Sequence, residues 1–232
     1  MQTIQAILSD FVFLFYPEYC VSCTVEVPAK EHLFCIDCLF HIPYTDHFEN
    51  TDNDFIFHFL GRQKLEYATA LFQMQKGGRV HTMISKLKYK RRKDIGFALG
   101  KMFAEQYVSS KHFTPFDLII PVPLHKSKLK ARGFNQSEVF ANGIASIINC
   151  PVHTDCLIKN TSTDSQTSKN RNQRLENVFD SYLLRSTELL ENKHILLVDD
   201  IVTTGATLEA CVMRLKQVPG VRISLGAIAI TE

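Results

Sequence analysis

Along most of this chain, segments with apolar residues at strand spacing alternate with segments with apolar residues at helical spacing. Alternating or continuous apolar runs of strand length predict strands at residues 65–73, 117–123, 152–158, 178–184, 195–198 and 221–230. Helical spacing predicts helices at residues 80–88, 95–107, 134–148 and 208–215. Strands that alternate with helices predict an α/β fold built on a doubly wound parallel sheet.

Three further segments depart from this alternation. Apolar residues at helical spacing over 4–15 end at Pro17 and predict an amphipathic helix that packs on the body or on the neighbouring cysteine-rich segment. A membrane-surface helix is the alternative, although its polar face lacks Lys and Arg. Residues 44–64 are polar and acidic with scattered aromatics, which predicts a linker. Residues 159–177 lack apolar periodicity and predict a long loop. We therefore divide the chain into 1–43, 44–64 and 65–232.

The strand predicted at 195–198 runs directly into Asp199 and Asp200, and a hydroxyl-rich loop follows it. The loop reads Thr203-Thr204-Gly205-Ala206-Thr207 and leads into a helix. Ligands of open α/β sheets bind at the carboxyl ends of the strands. Free backbone N–H groups at a helix start favour anions, and glycine permits a left-handed turn close to a phosphate.

These two groups of residues suit different parts of one ligand. Carboxylates repel a phosphate but accept hydrogen bonds from a sugar diol, whereas the threonine loop can hold a phosphate. The pattern predicts a ligand with a ribose diol beside a phosphate. The alternative is an ordinary strand, turn and helix with polar capping. In that case two adjacent buried aspartates would lower the stability of the fold without serving a function.

Four of the seven cysteines form two C-x2-C pairs. They are Cys20, Cys23, Cys35 and Cys38. This spacing can close a tetrahedral sulfur shell, which suits a structural Zn²⁺. A pair of disulfides or a redox motif is the alternative, and nothing in the sequence suggests secretion. Cys150, Cys156 and Cys211 are predicted to be small buried apolar residues.

Charge is divided unevenly along the 232 residues. Residues 1–60 hold one basic and nine acidic residues, net −8, and the remaining 172 residues hold 25 basic and 15 acidic, net +10. A basic body suggests a polyanionic partner. No apolar run approaches the roughly 20 residues of a membrane span, and no basic residue precedes the short run at 11–16, so we expect no secretory signal and a cytoplasmic protein.

Two stretches concentrate the basic charge. Residues 86–93 hold six basic side chains and include Lys88, and residues 125–132 hold Lys126, Lys128, Lys130 and Arg132. Cations beside Tyr89 and Phe134 could track a nucleic-acid backbone and stack a base. A solvated helix end is the alternative for 86–93. For 125–132 the alternative is the pyrophosphate of a small ligand, because this stretch follows a strand's carboxyl end.

Together these motifs resemble the competence protein ComF family, which has the type I phosphoribosyltransferase fold. The resemblance covers nearly the whole chain. It rests on the doubled C-x2-C, on Lys86-Leu87-Lys88-Tyr89, on Pro121-Val122-Pro123-Leu124 followed by Arg132-Gly133-Phe134-Asn135-Gln136, on Gln166-Thr167 with Arg174 and Asn177-Val178, and on the loop from Asp199 to Thr207. That loop is similar to the one that binds phosphoribosyl pyrophosphate (PRPP) in type I phosphoribosyltransferases.

The resemblance implies a function for this chain. It implies a small N-terminal zinc module and PRPP bound with Mg²⁺, with Lys88, Lys126, Lys128 and Arg132 as further ligands and Asp199 and Asp200 as the catalytic pair of an active enzyme. It also implies single-stranded DNA binding in DNA uptake, beside a DNA-uptake helicase at the inner face of the membrane. Residues 159–177 would form the hood, which selects the acceptor in true enzymes. An active phosphoribosyltransferase acting on a base or amine, and a PRPP-sensing regulator, are the alternatives.

Overall fold

The computed structural model of this chain describes residues 18–27, 33–89, 92–159 and 179–231. The helix expected at 4–15 and all but the first residue of the expected hood lie outside the described residues. No helix in the described ranges is both long and apolar enough to span a bilayer.

A four-stranded parallel sheet forms the centre of the fold. Its strands are β3 (Ala68–Met74), β4 (Leu118–Pro121), β7 (His194–Val202) and β8 (Arg222–Thr231), in the order β3-β8-β7-β4. Every neighbouring pair is parallel. The predicted parallel α/β sheet is therefore confirmed.

Helices cover both faces of this sheet. One face packs on α3 (Arg79–Tyr89), α4 (Lys93–Ser109) and α6 (Gln136–Ile148), and the other packs on α2 (Asp54–Phe57) and α7 (Ala206–Leu215). Leu196 and Val198 of β7 belong to the first core, whereas Ile195 and Leu197 belong to the second. Successive side chains of a strand point to opposite faces, so the continuous apolar run serves both cores.

Helices α4 and α6 approach each other unusually closely. A Cβ atom on Gly100 would lie 2.2 Å from the carbonyl oxygen of Phe140, and one on Gly143 would lie 2.1 Å from that of Phe97. Only glycine fits such a backbone contact. The contact fixes α6 against the sheet, with Ser137 in its first turn beside β7.

The N-terminal module packs on the same body. It contains the short antiparallel pair β1 (Glu18–Tyr19) and β2 (Glu26–Val27) and helix α1 (Ile36–His41). Val21, Phe34 and Ile42 belong to the apolar core that also contains Leu87 of α3. Arg79 pairs with Asp37 at 2.8 Å across this junction.

The segment 44–64 differs from the linker that we expect. It contains α2, and its aromatic residues Phe48, Phe55 and Phe59 are buried. Tyr44 forms an isolated antiparallel bridge with Phe72 of β3. These three aromatics are core residues of an irregular segment, whereas Tyr44 and Phe57 are exposed, so the segment shows no periodicity. The domain division itself stays a prediction.

The strand expected at 152–158 is also different. Val152 makes only a single parallel bridge with Ile119, because the exposed polar residues Thr154 and Asp155 interrupt the apolar run. β5 (Leu157–Lys159) instead pairs antiparallel with β6 (Tyr182–Leu184), which is shorter than the expected strand 178–184. We call β5 and β6, the paired strands on either side of the expected hood segment, the hood hairpin. A 3₁₀ turn at Thr187–Leu190 and helix α5 (Lys126–Arg132) complete the fold.

Candidate ligand site and metal centre

Strand β7 presents the two adjacent carboxylates near its carboxyl end. The strand continues to Val202, so Asp199 still pairs with Ala227 of β8. Gly205 has φ +73°, the left-handed turn expected at this position, and α7 begins immediately after it at Ala206. The helix therefore starts two residues earlier than the apolar spacing predicts, which brings its first N–H groups into the threonine loop.

Asp199 accepts one hydrogen bond from α6 and one from its own strand. Ser137 Oγ donates to its Oδ1 at 2.9 Å, and the backbone N–H of Asp200 donates to the same oxygen at 2.8 Å. Burial, followed by the adjacent charge of Asp200, raises the pKa of Asp199 to about 7. This carboxylate is held in place and is costly to ionise.

Asp200 is paired with a lysine from the first basic stretch. Lys88 Nζ lies 2.9 Å from Asp200 Oδ2, and both side chains are largely buried. Lys88 therefore points into the site and does not belong to a solvated helix end. Lys88, at the end of α3, therefore neutralises the charge of Asp200, one of the two neighbouring carboxylates.

Two adjoining cavities bring most of the predicted ligand residues together. The larger, of about 190 Å³, is lined by the predicted residues Lys88, Lys128, Arg132, Asp199, Asp200 and Thr207. The smaller, of about 40 Å³, is formed by the loop from Thr203 to Thr207 with Asp199. Lys126 lines neither. The ligand roles of all these residues stay predictions.

The larger cavity also contains residues that sequence reasoning missed. Gln136 and Ser137 line it from the first turn of α6, and Lys159 and Tyr182 line it from the hood hairpin. Gln136 lies within the motif that begins at Arg132, so that motif could have indicated it. No sequence signal relates Lys159 to Tyr182, because their pairing depends on the hairpin.

The two basic stretches meet at the mouth of this cavity. The guanidinium of Arg132 lies 5.8 Å from the ring centre of Tyr89, and Lys93 Nζ lies 5.5 Å from that of Phe134. Tyr89 is 75% exposed. Arg92 binds Asp94 in a bidentate ion pair, so part of the charge in this stretch is neutralised. Lys90 and Arg91 lie outside the described residues.

His125 has a local structural role. It precedes α5, and its Nδ1 accepts a hydrogen bond from the backbone N–H of Ser127 at 3.2 Å. This contact caps the helix, so His125 stabilises the turn that leads into α5.

The four predicted metal ligands converge in the N-terminal module. The sulfur atoms of Cys20, Cys23, Cys35 and Cys38 all lie within 4.8 Å of one another. Zn–S bonds of about 2.3 Å in a tetrahedron place sulfur atoms about 3.8 Å apart, so this cluster could hold a metal ion. Lys86 donates to the carbonyl oxygen of Cys20 at 3.3 Å and attaches the module to α3.

The remaining three cysteines are buried, as predicted. Cys150, Cys156 and Cys211 are 7%, 2% and 0% exposed. Burial raises the pKa of the Cys150 thiol to about 11, which disfavours the reactive thiolate.

Comparison with known proteins agrees with this geometry. The family model described as "Phosphoribosyl transferase domain" matches residues 135–229. The DNA utilization protein YhgH of Escherichia coli O157:H7 is 29% identical over 54% of this chain and 56% of its own length. Competence protein ComFC of Bacillus subtilis is 29% identical over 54% of this chain and 48% of its own. Competence protein F of Haemophilus influenzae is 34% identical over 40% and 41%. The matched region spans about half the length of these curated relatives.

Proposed function

Since this chain belongs to the ComF family of competence proteins and carries a phosphoribosyltransferase domain, we propose that it binds PRPP with Mg²⁺ and single-stranded DNA and supports DNA uptake. Relatives named for competence and DNA utilization support the biological role. The cavity at the end of β7 supports the choice of small ligand.

The observation that carries the PRPP proposal is the arrangement of charges around that cavity. Asp199 and Asp200 lie beside the threonine loop, while Lys88, Lys128 and Arg132 line the same cavity. Carboxylates can accept from the ribose diol, the loop can hold the 5-phosphate, and the cations can meet the pyrophosphate. Mg²⁺ bound with PRPP would neutralise part of the pyrophosphate charge.

Replacing both carboxylates should abolish PRPP binding. We expect the Asp199→Asn/Asp200→Asn variant to bind PRPP with Mg²⁺ at least 100-fold more weakly than wild type in calorimetry, because amides are poorer acceptors for a diol. Glu188→Gln, which changes an exposed carboxylate outside both cavities, is the matched control. Unchanged affinity in the double variant would reject this site.

The same preparation distinguishes binding from catalysis. Pyrophosphate release is measured with PRPP, Mg²⁺ and a panel of bases, amines and single-stranded DNA. Release that depends on one acceptor and is lost in Asp199→Asn would identify an active phosphoribosyltransferase. PRPP binding without acceptor-dependent release would favour a ligand-binding scaffold for DNA handling.

The exposed Tyr89 and its surrounding cations are the proposed contact for single-stranded DNA. Base stacking on an aromatic ring is worth about 1–3 kcal/mol, so Tyr89→Ala should weaken binding about 5- to 150-fold. Lys93→Ala with Lys130→Ala removes two exposed cations outside the ligand cavities. This pair should reduce the slope of log affinity against log salt by about 1.4. An unchanged slope, with Lys101→Ala as control, would reject this surface.

We include a DNA-uptake helicase as a partner, and a location at the inner face of the membrane, in the proposal. Both are supported only by membership of the ComF family. A pull-down of the purified chain with such a helicase, with and without single-stranded DNA, tests the partnership directly. Retention of the helicase at equimolar amounts is expected, and no retention under either condition would reject it.

A further inference from the structure

Lys159 of the hood hairpin lines the ligand cavity together with Lys128 and Arg132 of α5. Its Nζ donates to Tyr182 Oη at 2.9 Å and lies 4.8 Å from the centre of the same ring. Tyr182 is 1% exposed and fully packed, so it fixes the position of the lysine. The hairpin therefore directs a positioned cation into a cavity that also contains both aspartates.

The cavity contains more positive charge than its carboxylates neutralise. Asp200 is paired with Lys88, and Asp199 Oδ1 already accepts two hydrogen bonds. Within the described ranges, neither Lys128 nor Lys159 lies within ion-pair distance of a carboxylate. Burial, and then the charge of Lys128, lowers the pKa of Lys159. The two ammonium groups thus repel each other, and an anion bound between them would relieve that repulsion.

We propose that Lys159 is an anion ligand of this cavity and that it holds, together with Lys128, the pyrophosphate end of the bound ligand. The proposal rests on the proposed function, because it assigns one part of a phosphoribosyl ligand to one residue. It gives the hood hairpin a role in phosphate binding in addition to the acceptor selection expected of a hood. Ligands that lack the pyrophosphate should make no use of Lys159.

The test compares inorganic pyrophosphate with ribose 5-phosphate, each titrated with Mg²⁺ into the full chain. A hydrogen bond to a charged group is worth about 1.5–3 kcal/mol, which corresponds to a factor of about 10–150 in affinity. We expect Lys159→Met to weaken pyrophosphate by at least tenfold and to change ribose 5-phosphate by less than twofold. Lys159→Arg, which keeps the charge, should restore most of the pyrophosphate affinity.

Lys101→Met controls for the loss of a lysine, because Lys101 is exposed on α4 and lines neither cavity. Unchanged pyrophosphate affinity in Lys159→Met overturns the assignment. Equal losses for both ligands, or no rescue by Lys159→Arg, also overturn it, because Lys159 would then support the hairpin only. A wild type that binds neither ligand rejects the proposed function itself, whereas a wild type that binds both while Lys159→Met is unchanged rejects Lys159 alone.

Discussion

Removing the predicted Zn²⁺ with a chelator should unfold residues 18–27 and 33–42 while the parallel sheet remains folded. Structural Zn²⁺ contributes about 10–16 kcal/mol to the folding of small zinc modules, and this module has little secondary structure of its own. Its own strands are two residues long and its helix is six. Without the ion, four cysteine side chains would have to pack against one another with no bond between them.

Hydrogen exchange can locate the effect along the chain. We expect amide protection to be lost over 18–27 and 33–42 and reduced at the end of α3, because Lys86 binds the carbonyl oxygen of Cys20. Protection in β7 and β8 should remain, since those strands are fully covered on both faces. Cys35→Ser should reproduce the loss.

Cys150→Ser is the matched control for this experiment. It changes a buried cysteine that lies outside the four-sulfur cluster, so metal content should stay at one ion per chain. Full protection of 18–27 and 33–42 in a preparation shown by elemental analysis to lack metal would contradict the metal centre.

The two aspartates should affect stability in opposite directions when each is replaced by Asn. Asp199→Asn removes a buried charge, and the Asn Oδ1 can still accept from Ser137 and from the backbone of residue 200. Asp200→Asn leaves Lys88 without its ion-pair partner. At pH 8 we expect Asp199→Asn to raise the free energy of unfolding by about 1 kcal/mol and Asp200→Asn to lower it by about 2 kcal/mol.

The gain from Asp199→Asn should depend on pH. The pKa of Asp199 is about 7 in the folded chain, against an ordinary value near 4 when unfolded, so the folded state holds this proton more tightly. Wild-type stability from this group is therefore present at low pH and is lost as pH rises from about 4 to about 7. The difference in melting temperature between Asp199→Asn and wild type should grow over that range.

Denaturant unfolding at pH 5 and at pH 8 measures both effects. Ser137→Ala is a useful comparison, since it removes one donor to the Asp199 carboxylate and should raise the pKa of Asp199 further. A difference between Asp199→Asn and wild type that is the same at both pH values would contradict the raised pKa.

Local patterns in the sequence predict the parts of the site that are contiguous in the chain. The buried strand, the aspartate pair, Gly205 and the helix start follow one another within 13 residues, so periodicity and turn chemistry were sufficient. Lys88 and Arg132 were candidates because they lie in marked basic runs. Their contacts with Asp200 and Tyr89 depend on the tertiary arrangement of α3 and α5 around the cavity.

Sequence reasoning failed where a contact joins distant or irregular segments. Lys159 and Tyr182 are separated by 23 positions and meet only because β5 and β6 pair. The buried aromatics Phe48, Phe55 and Phe59 have no periodicity, since they fill gaps in a core that other elements define. The contacts of such residues depend on tertiary packing, which local sequence propensity does not predict.

The isolated bridges of Tyr44 and Val152 have a consequence for how this protein behaves among other chains. β3 and β4 are the outermost strands of the sheet, and an open strand edge can recruit a second chain into an aggregate. Beside β3, Gln73 donates to Pro43 and Thr45 donates to Leu71; beside β4, Ile119 donates to Pro151 and His153 donates to Ile119. A short irregular segment thus occupies part of the hydrogen-bonding edge of each outer strand, residues 43–45 at β3 and residues 151–153 at β4. Because these edges are partly occupied, we expect edge-to-edge self-association of the protein to be disfavoured.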